Sequence, residues 1–141
     1  MSLELKVKLL DPKAKVPSRA LPGDLGFDLF ALETVAVQPG QTIAAKTGVA
    51  FEFPDGWGAF VKARSSQGKV GVAIYGGVVD SGYRGEVAVM LNNSSDDIVI
   101  YSAGDKIGQL VLIPVFPGTI TQVEELATSD RGERGFGSTG R

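Results

Sequence analysis

Near the start of the chain, apolar side chains fall on every second position, Leu3, Leu5, Val7 and Leu9, with Glu4, Lys6 and Lys8 between them. The alternation returns at Val49, Phe51 and Phe53, and again at Val87, Val89 and Leu91. A period of two sends successive side chains to opposite faces of an extended chain, so it predicts half-buried strands rather than helices. Turn formers punctuate these runs at Pro22-Gly23-Asp24, Pro39-Gly40, Pro54-Asp55-Gly56, the polar run 92–97, Gly104-Asp105 and Pro117-Gly118. Gly supplies permissive backbone angles there, and Pro or Asp starts the bend. Many short strands at close spacing, with no capped amphipathic stretch of helical length between them, predict an all-β sandwich, barrel or jelly roll. One short helix is expected around Ser65 to Lys69. The apolar stretch from Ile107 to Phe116 is expected to serve the core rather than an interface.

The C-terminus departs from this pattern. From Asp130 onward the chain carries one large apolar residue, Phe136, among glycines and arginines, too little to hold a fixed structure by burial. A barrel over 1–129 followed by a mobile segment over 130–141 is therefore expected. The length, 141 residues, suits one domain.

Composition narrows the chemistry. There is no cysteine and no histidine, which removes disulfides, thiol nucleophiles, the usual zinc ligands and the usual general base. Catalysis must use carboxylates, hydroxyls, amides, arginines or lysines. The net charge of −2 comes without a block of like charges, so neither a nucleic-acid-binding face nor an acidic tail is expected. The longest apolar run, Leu110 to Phe116, is too short to span a bilayer, and no stretch at the start resembles a signal peptide. A soluble intracellular protein with no membrane partner is the expectation.

Several segments could carry chemistry, each with a plainer alternative. The run Gly76 to Val87 reads as a hairpin with Asp80 at its bend, two glycines before it and Tyr83 three residues after. Asp in a turn commonly just caps local N–H groups, but in a chain without histidine it is also the natural base for a water. Arg64, Ser65 and Ser66 place a guanidinium and two hydroxyls at a possible helix start, where anions bind or an ordinary cap sits. Asp24 and Asp28, among glycines, could form a turn or order the waters of a magnesium ion. The tail offers exposed N–H groups, Arg131, Arg134, Ser138 and Thr139, a set suited to phosphate oxygens, though a frayed terminus would look the same.

In order along the chain, "GFDLFA" at 26–31, "RSS" at 64–66, "GGVVDSGYRGE" at 76–86, "GDKIGQL" at 104–110 and "RGERGFGSTG" at 131–140 resemble the motifs of the homotrimeric dUTP pyrophosphatase (dUTPase) family. The resemblance implies a jelly-roll-like β barrel assembled as a homotrimer. Each active site would be built from three subunits and closed by a C-terminal tail. It implies Mg2+-assisted hydrolysis of dUTP to dUMP and pyrophosphate, limiting uracil in DNA and supplying dUMP for thymidylate synthesis.

By that resemblance, Asp80 would activate the attacking water, and Gln109 would bond the water or an α-phosphate oxygen. The backbone of Gly77, Val78 and Val79 would pair with uracil, and Tyr83 would lie against the sugar. Arg64, Ser65 and Ser66 would hold the α and β phosphates, with Asp28 ordering the water shell of the metal. In the tail, Arg131, Ser138 and Thr139 would take the γ-phosphate while Phe136 stacks on the base, and Gly137 would also belong to the substrate site. Ala63 stands where the family commonly has proline, Ser66-Gln67 where Gly-Leu is common, and Arg134 where a tail glycine is usual. Two rivals are a dCTP deaminase of related fold and a nucleotide-binding regulator without turnover. The Val-Val-Asp-Ser-Gly-Tyr run and the full tail motif favour the pyrophosphatase over the first. Asp80, Gln109 and Arg131 together favour it over the second.

Overall fold

The structure, a computed structural model, describes residues 3–137, so Ser138 and Thr139 lie outside the described residues. The described chain is almost entirely β. In order it forms β1 (Lys6–Leu9), β2 (Gly26–Phe30), β3 (Val35–Val37), β4 (Thr42–Ala45), β5 (Val49–Glu52) and β6 (Trp57–Lys62). A single helical turn and a half, α1 (Ser65–Lys69), precedes β7 (Val72–Tyr75), β8 (Val78–Val79), β9 (Val89–Asn93), β10 (Val99–Tyr101) and β11 (Lys106–Pro114). The largest sheet runs β2-β11-β6-β8, a second runs β4-β9-β7, and the pairs β1-β5 and β10-β3 complete a jelly-roll-like barrel. Every named pairing is antiparallel. Among the described residues no helix is long and apolar enough to cross a membrane.

Inward-facing residues of the strands meet in one core. Leu29, Val37, Val49, Val89, Leu91, Ile107 and Leu110 are almost wholly buried, with Phe51, Phe53 and Val61 beside them. Each large side chain taken out of water contributes about 1.5–3 kcal/mol. Strand β11 is the spine, paired with β2 on one edge and β6 on the other. Ile107 and Leu110 would face opposite ways in a regular strand, yet both are buried. A register shift between Lys106 and Gly108 absorbs the odd residue and turns both inward.

Three expectations are corrected by the pairing. Residues 76–87 do not close as a simple hairpin: β7 pairs with β9 (Ile74 opposite Leu91), whereas β8 leaves to pair with β6 (Val79 opposite Ala59). Gly76 and Gly77 make that departure possible, with φ of +62° and +87°, and a Cβ at Gly77 would sit 2.5 Å from the Val61 carbonyl oxygen. The stretch from Ile107 to Phe116 divides: its first half is core, but Val115 and Phe116 are 48% and 75% exposed because the chain leaves the barrel there. In the first apolar run only Leu5 and Val7 are partly covered, while Leu3 and Leu9 face outward from an edge pair.

Candidate active site

The described residues singled out by sequence form a cleft around Asp80, a cluster around Asp28 and Arg64, and part of a C-terminal arm. In the first cleft, of about 270 Å³, β8 forms one wall with Gly77, Val78, Val79 and Asp80, and Tyr83, Glu86, Ala88 and Met90 form the others. The volume is close to the roughly 300 Å³ at which small-ligand pockets begin. Strand β8 is the last in its sheet, so one of its edges is open. The Val61 N–H donates to the Gly77 carbonyl at 2.7 Å, and ladder alternation then turns the N–H and C=O of Val78 to the open edge. These are the groups a base edge could pair with.

Asp80 and Tyr83 sit at the two ends of one turn, closed by the Tyr83 N–H donating to the Asp80 carbonyl at 3.0 Å. Asp80 is exposed and takes part in none of the three ion pairs among the described residues. The Tyr83 hydroxyl donates to the Glu86 carbonyl at 2.8 Å, and a Cβ at Gly85 would collide with the ring, so the ring lies directly over bare backbone. Glu86 in turn accepts from the Gly48 N–H at 2.8 Å, tying this loop to the start of β5.

The second group gathers where β6 runs into α1. Arg64 Nε lies 3.4 Å from Asp28 Oδ1, and Lys106 Nζ lies 3.3 Å from Asp28 Oδ2, so both oxygens of one carboxylate face cations. Gln109 is opposite Asp28 on one side and Lys62 on the other, and its Nε2 donates to the Ala63 carbonyl at 3.0 Å. An amide nitrogen carries two hydrogens, so one donor of Gln109 stays available to a ligand. Ser65 and Ser66 open α1 and are exposed. Lys15, Tyr101 and Lys106 line the cleft beside Arg64.

Among the described residues, those of the tail line neither cleft. The last backbone hydrogen bond from the arm to the barrel among the described residues joins Val115 N–H to the Gly56 carbonyl. Beyond it Arg131 and Arg134 bond each other's backbone, Nε of each donating to the carbonyl of the other at 2.9 and 3.0 Å. The Phe136 ring is fully exposed with φ of +42°, and Gly137 follows at +90°.

Sequence alone did not point to Lys106, Gln67 or Gly58. Lys106 meets Asp28 only through the bulged register of β11, which no local pattern reveals. A Cβ at Gly58 would lie 2.8 Å from the Val79 carbonyl oxygen, so bare backbone there lets β8 press onto β6. The available signal was a Gly between Trp57 and Ala59 inside a strand, a common mark of close backbone approach.

As for a metal, among the described residues no group of three or more Asp or Glu side chains converges to ligate one directly. A lone carboxylate such as Asp28 fits a Mg2+ ion held mainly by water and phosphate oxygens.

Comparison with known proteins gives the family of this fold. The family model for dUTPase matches residues 12–140. The deoxyuridine 5'-triphosphate nucleotidohydrolase of Thermobifida fusca is 40% identical, with 99% of this chain and 80% of that protein covered. The enzyme of the same name from Picosynechococcus sp. is also 40% identical, over 98% of this chain and 99% of its own. Among solved structures, the dUTPase of Staphylococcus bacteriophage 80alpha with dUpNHpp superposes with a TM-score of 0.88 at 31% identity, covering 98% of this chain and 99% of that one. A mutant dUTPase of phage phi11 of S. aureus, which coordinates a structural Mg(II) ion, has a TM-score of 0.82 at 27% identity, covering 89% and 99%. By motif, fold and near full-length similarity, this chain belongs to the dUTPase family.

Proposed function

We propose that this dUTP diphosphatase hydrolyses dUTP to dUMP and pyrophosphate by attack of an Asp80-activated water on the α-phosphorus. The observation that carries the reading is the placing of Asp80 at the rim of a nucleoside-sized cleft, between the open edge of β8 and the Tyr83 ring. Val78 offers one N–H and one C=O at that edge. Uracil presents a carbonyl beside a ring N–H and can satisfy both, whereas cytosine presents donor and acceptor reversed and would leave both backbone groups unpaired. The Asp80 carboxylate accepts the proton of the water as its oxygen bonds to phosphorus, and the bond to the leaving pyrophosphate breaks.

Arg64, with Ser65 and Ser66, would hold the α and β phosphates, and Gln109 would bond the water or an α-phosphate oxygen with its spare N–H. Mg2+, when bound, supplies charge that offsets what builds up on the leaving pyrophosphate. Asp28 would hold water of its shell, sharing its oxygens with Arg64 and Lys106. Arg131, Ser138 and Thr139 would take the γ-phosphate, with Phe136 on the base and Gly137 also in the substrate site.

Assembly as a homotrimer completes this site. The Asp80 cleft and the Arg64 cleft share no lining residue within one chain, which supports a site that other copies complete. The arm also leaves Phe116, Ile120, Val123 and Leu126 between 55% and 99% exposed, an apolar series that calls for a protein partner. Sedimentation equilibrium is expected to give a trimer, and a fully active monomer would refute the shared site.

Tyr83 carries the sugar reading. Packed at the 2′ carbon, its ring leaves no room for a hydroxyl, so the protein should prefer dUTP over UTP. Tyr83→Ala is expected to narrow that preference about tenfold, out of the roughly 100-fold a pocket without polar partners achieves against an added hydroxyl. An unchanged ratio of kcat/KM values would place sugar recognition elsewhere. The reading as a whole is tested by incubation with dUTP or dCTP and Mg2+. Pyrophosphate from dUTP alone is expected; deamination of dCTP, or no product, would contradict it.

A further inference from the structure

The peptide between Ala63 and Arg64 is gripped at both ends. Its carbonyl accepts from Gln109 Nε2 at 3.0 Å, and its N–H donates to Gln67 Oε1 at 2.8 Å. Gln67 is 3% exposed, on a helix whose other residues face solvent. Its Nε2 donates to the Ile107 carbonyl at 2.7 Å and lies 3.3 Å from the Tyr101 hydroxyl. Both ends of this amide are therefore bonded, and both glutamines lead back to β11. An apolar side chain of similar size would fill the same space, but it would leave the Arg64 N–H and the Ile107 carbonyl without partners.

We propose that Gln67 is a positioning residue for Arg64. Through the Arg64 N–H it fixes the direction in which the guanidinium leaves the end of β6. Through Ile107 it registers that direction to the strand carrying Gln109 and to the Asp28 carboxylate paired with it. Displacement of a phosphate-binding group by about 1 Å is enough to cost about 100-fold in rate, so a clamp on the backbone of Arg64 has leverage on the reaction without touching substrate. The inference rests on the reading of Arg64 as a phosphate ligand.

The test is a double-mutant cycle on the assembled protein with dUpNHpp and deoxyuridine as probes, read by calorimetry. Gln67→Met keeps length and nearly the volume while removing every hydrogen bond. It is expected to weaken dUpNHpp about tenfold, to leave deoxyuridine affinity unchanged, and to add less than about twofold in an Arg64→Ala background. A tenfold loss that persists in that background, or one shared by deoxyuridine, assigns Gln67 a merely structural role and overturns the proposal. So does unchanged dUpNHpp affinity. If Arg64→Ala alone binds dUpNHpp as tightly as the parent, the phosphate role of Arg64 is what fails, and the proposal falls with it. Should Gln67→Met not fold, amide exchange in the intact protein decides. An Arg64 N–H exchanging as slowly as that of Leu110 supports the clamp, and one as fast as that of Leu126 on the exposed arm overturns it.

Discussion

Asp80→Asn is expected to bind dUTP nearly as well as the parent protein while turnover falls by about 10²–10⁴-fold, the range that general-base catalysis supplies. The substitution keeps the shape of the side chain. Asp80 is exposed and outside the ion pairs described, so neither the core nor the charge network should register the change. What is lost is the ability to accept the proton of the water. The loss should therefore appear in kcat and not in KM, the signature of an interaction made only in the transition state. Hydrolysis at a near-normal rate would remove Asp80 from the role of base.

Ending the chain at Ser129 is expected to lower dUTP turnover by about 100-fold or more while the melting temperature moves by less than about 2 °C. Residues 130–137 are exposed throughout and their side chains bond only their own backbone, so the barrel loses almost no burial when they are removed. The Phe136 ring is exposed and the Arg131 guanidinium bonds only the Arg134 carbonyl among the described residues, so both have contacts to gain from a ligand or another subunit. If they close over a triphosphate, ordering and binding are one event, and closure both positions the γ-phosphate and excludes water. A dUMP complex should then hold the tail less firmly than a dUpNHpp complex. A truncated enzyme with full activity would show that the segment is a frayed end.

Strand positions were legible in the sequence because side-chain alternation is a local signal. Val49, Phe51 and Phe53 are buried as their spacing required, and the short helix falls at Ser65–Lys69. Strand partners were not legible, because pairing is decided by contacts far apart in the chain. Residues 76–87 read as a hairpin, but only the structure shows that β8 pairs with β6 while β7 pairs with β9. The same limit applied to charge. A net charge of −2 gives no hint that Arg64 and Lys106 converge on Asp28. Most site residues were named because whole motifs resembled a family. Gln67, outside the pattern, emerged only from its burial and its bonds.

If water attacks the α-phosphorus of dUTP, the oxygen it brings ends in dUMP and not in pyrophosphate. Hydrolysis of dUTP with Mg2+ in 18O-enriched water, followed by mass spectrometry of both products, should place the heavy oxygen in dUMP and none in pyrophosphate. Label in pyrophosphate would mean attack at the β-phosphorus, and would contradict the proposed role of Asp80 at the α-phosphorus.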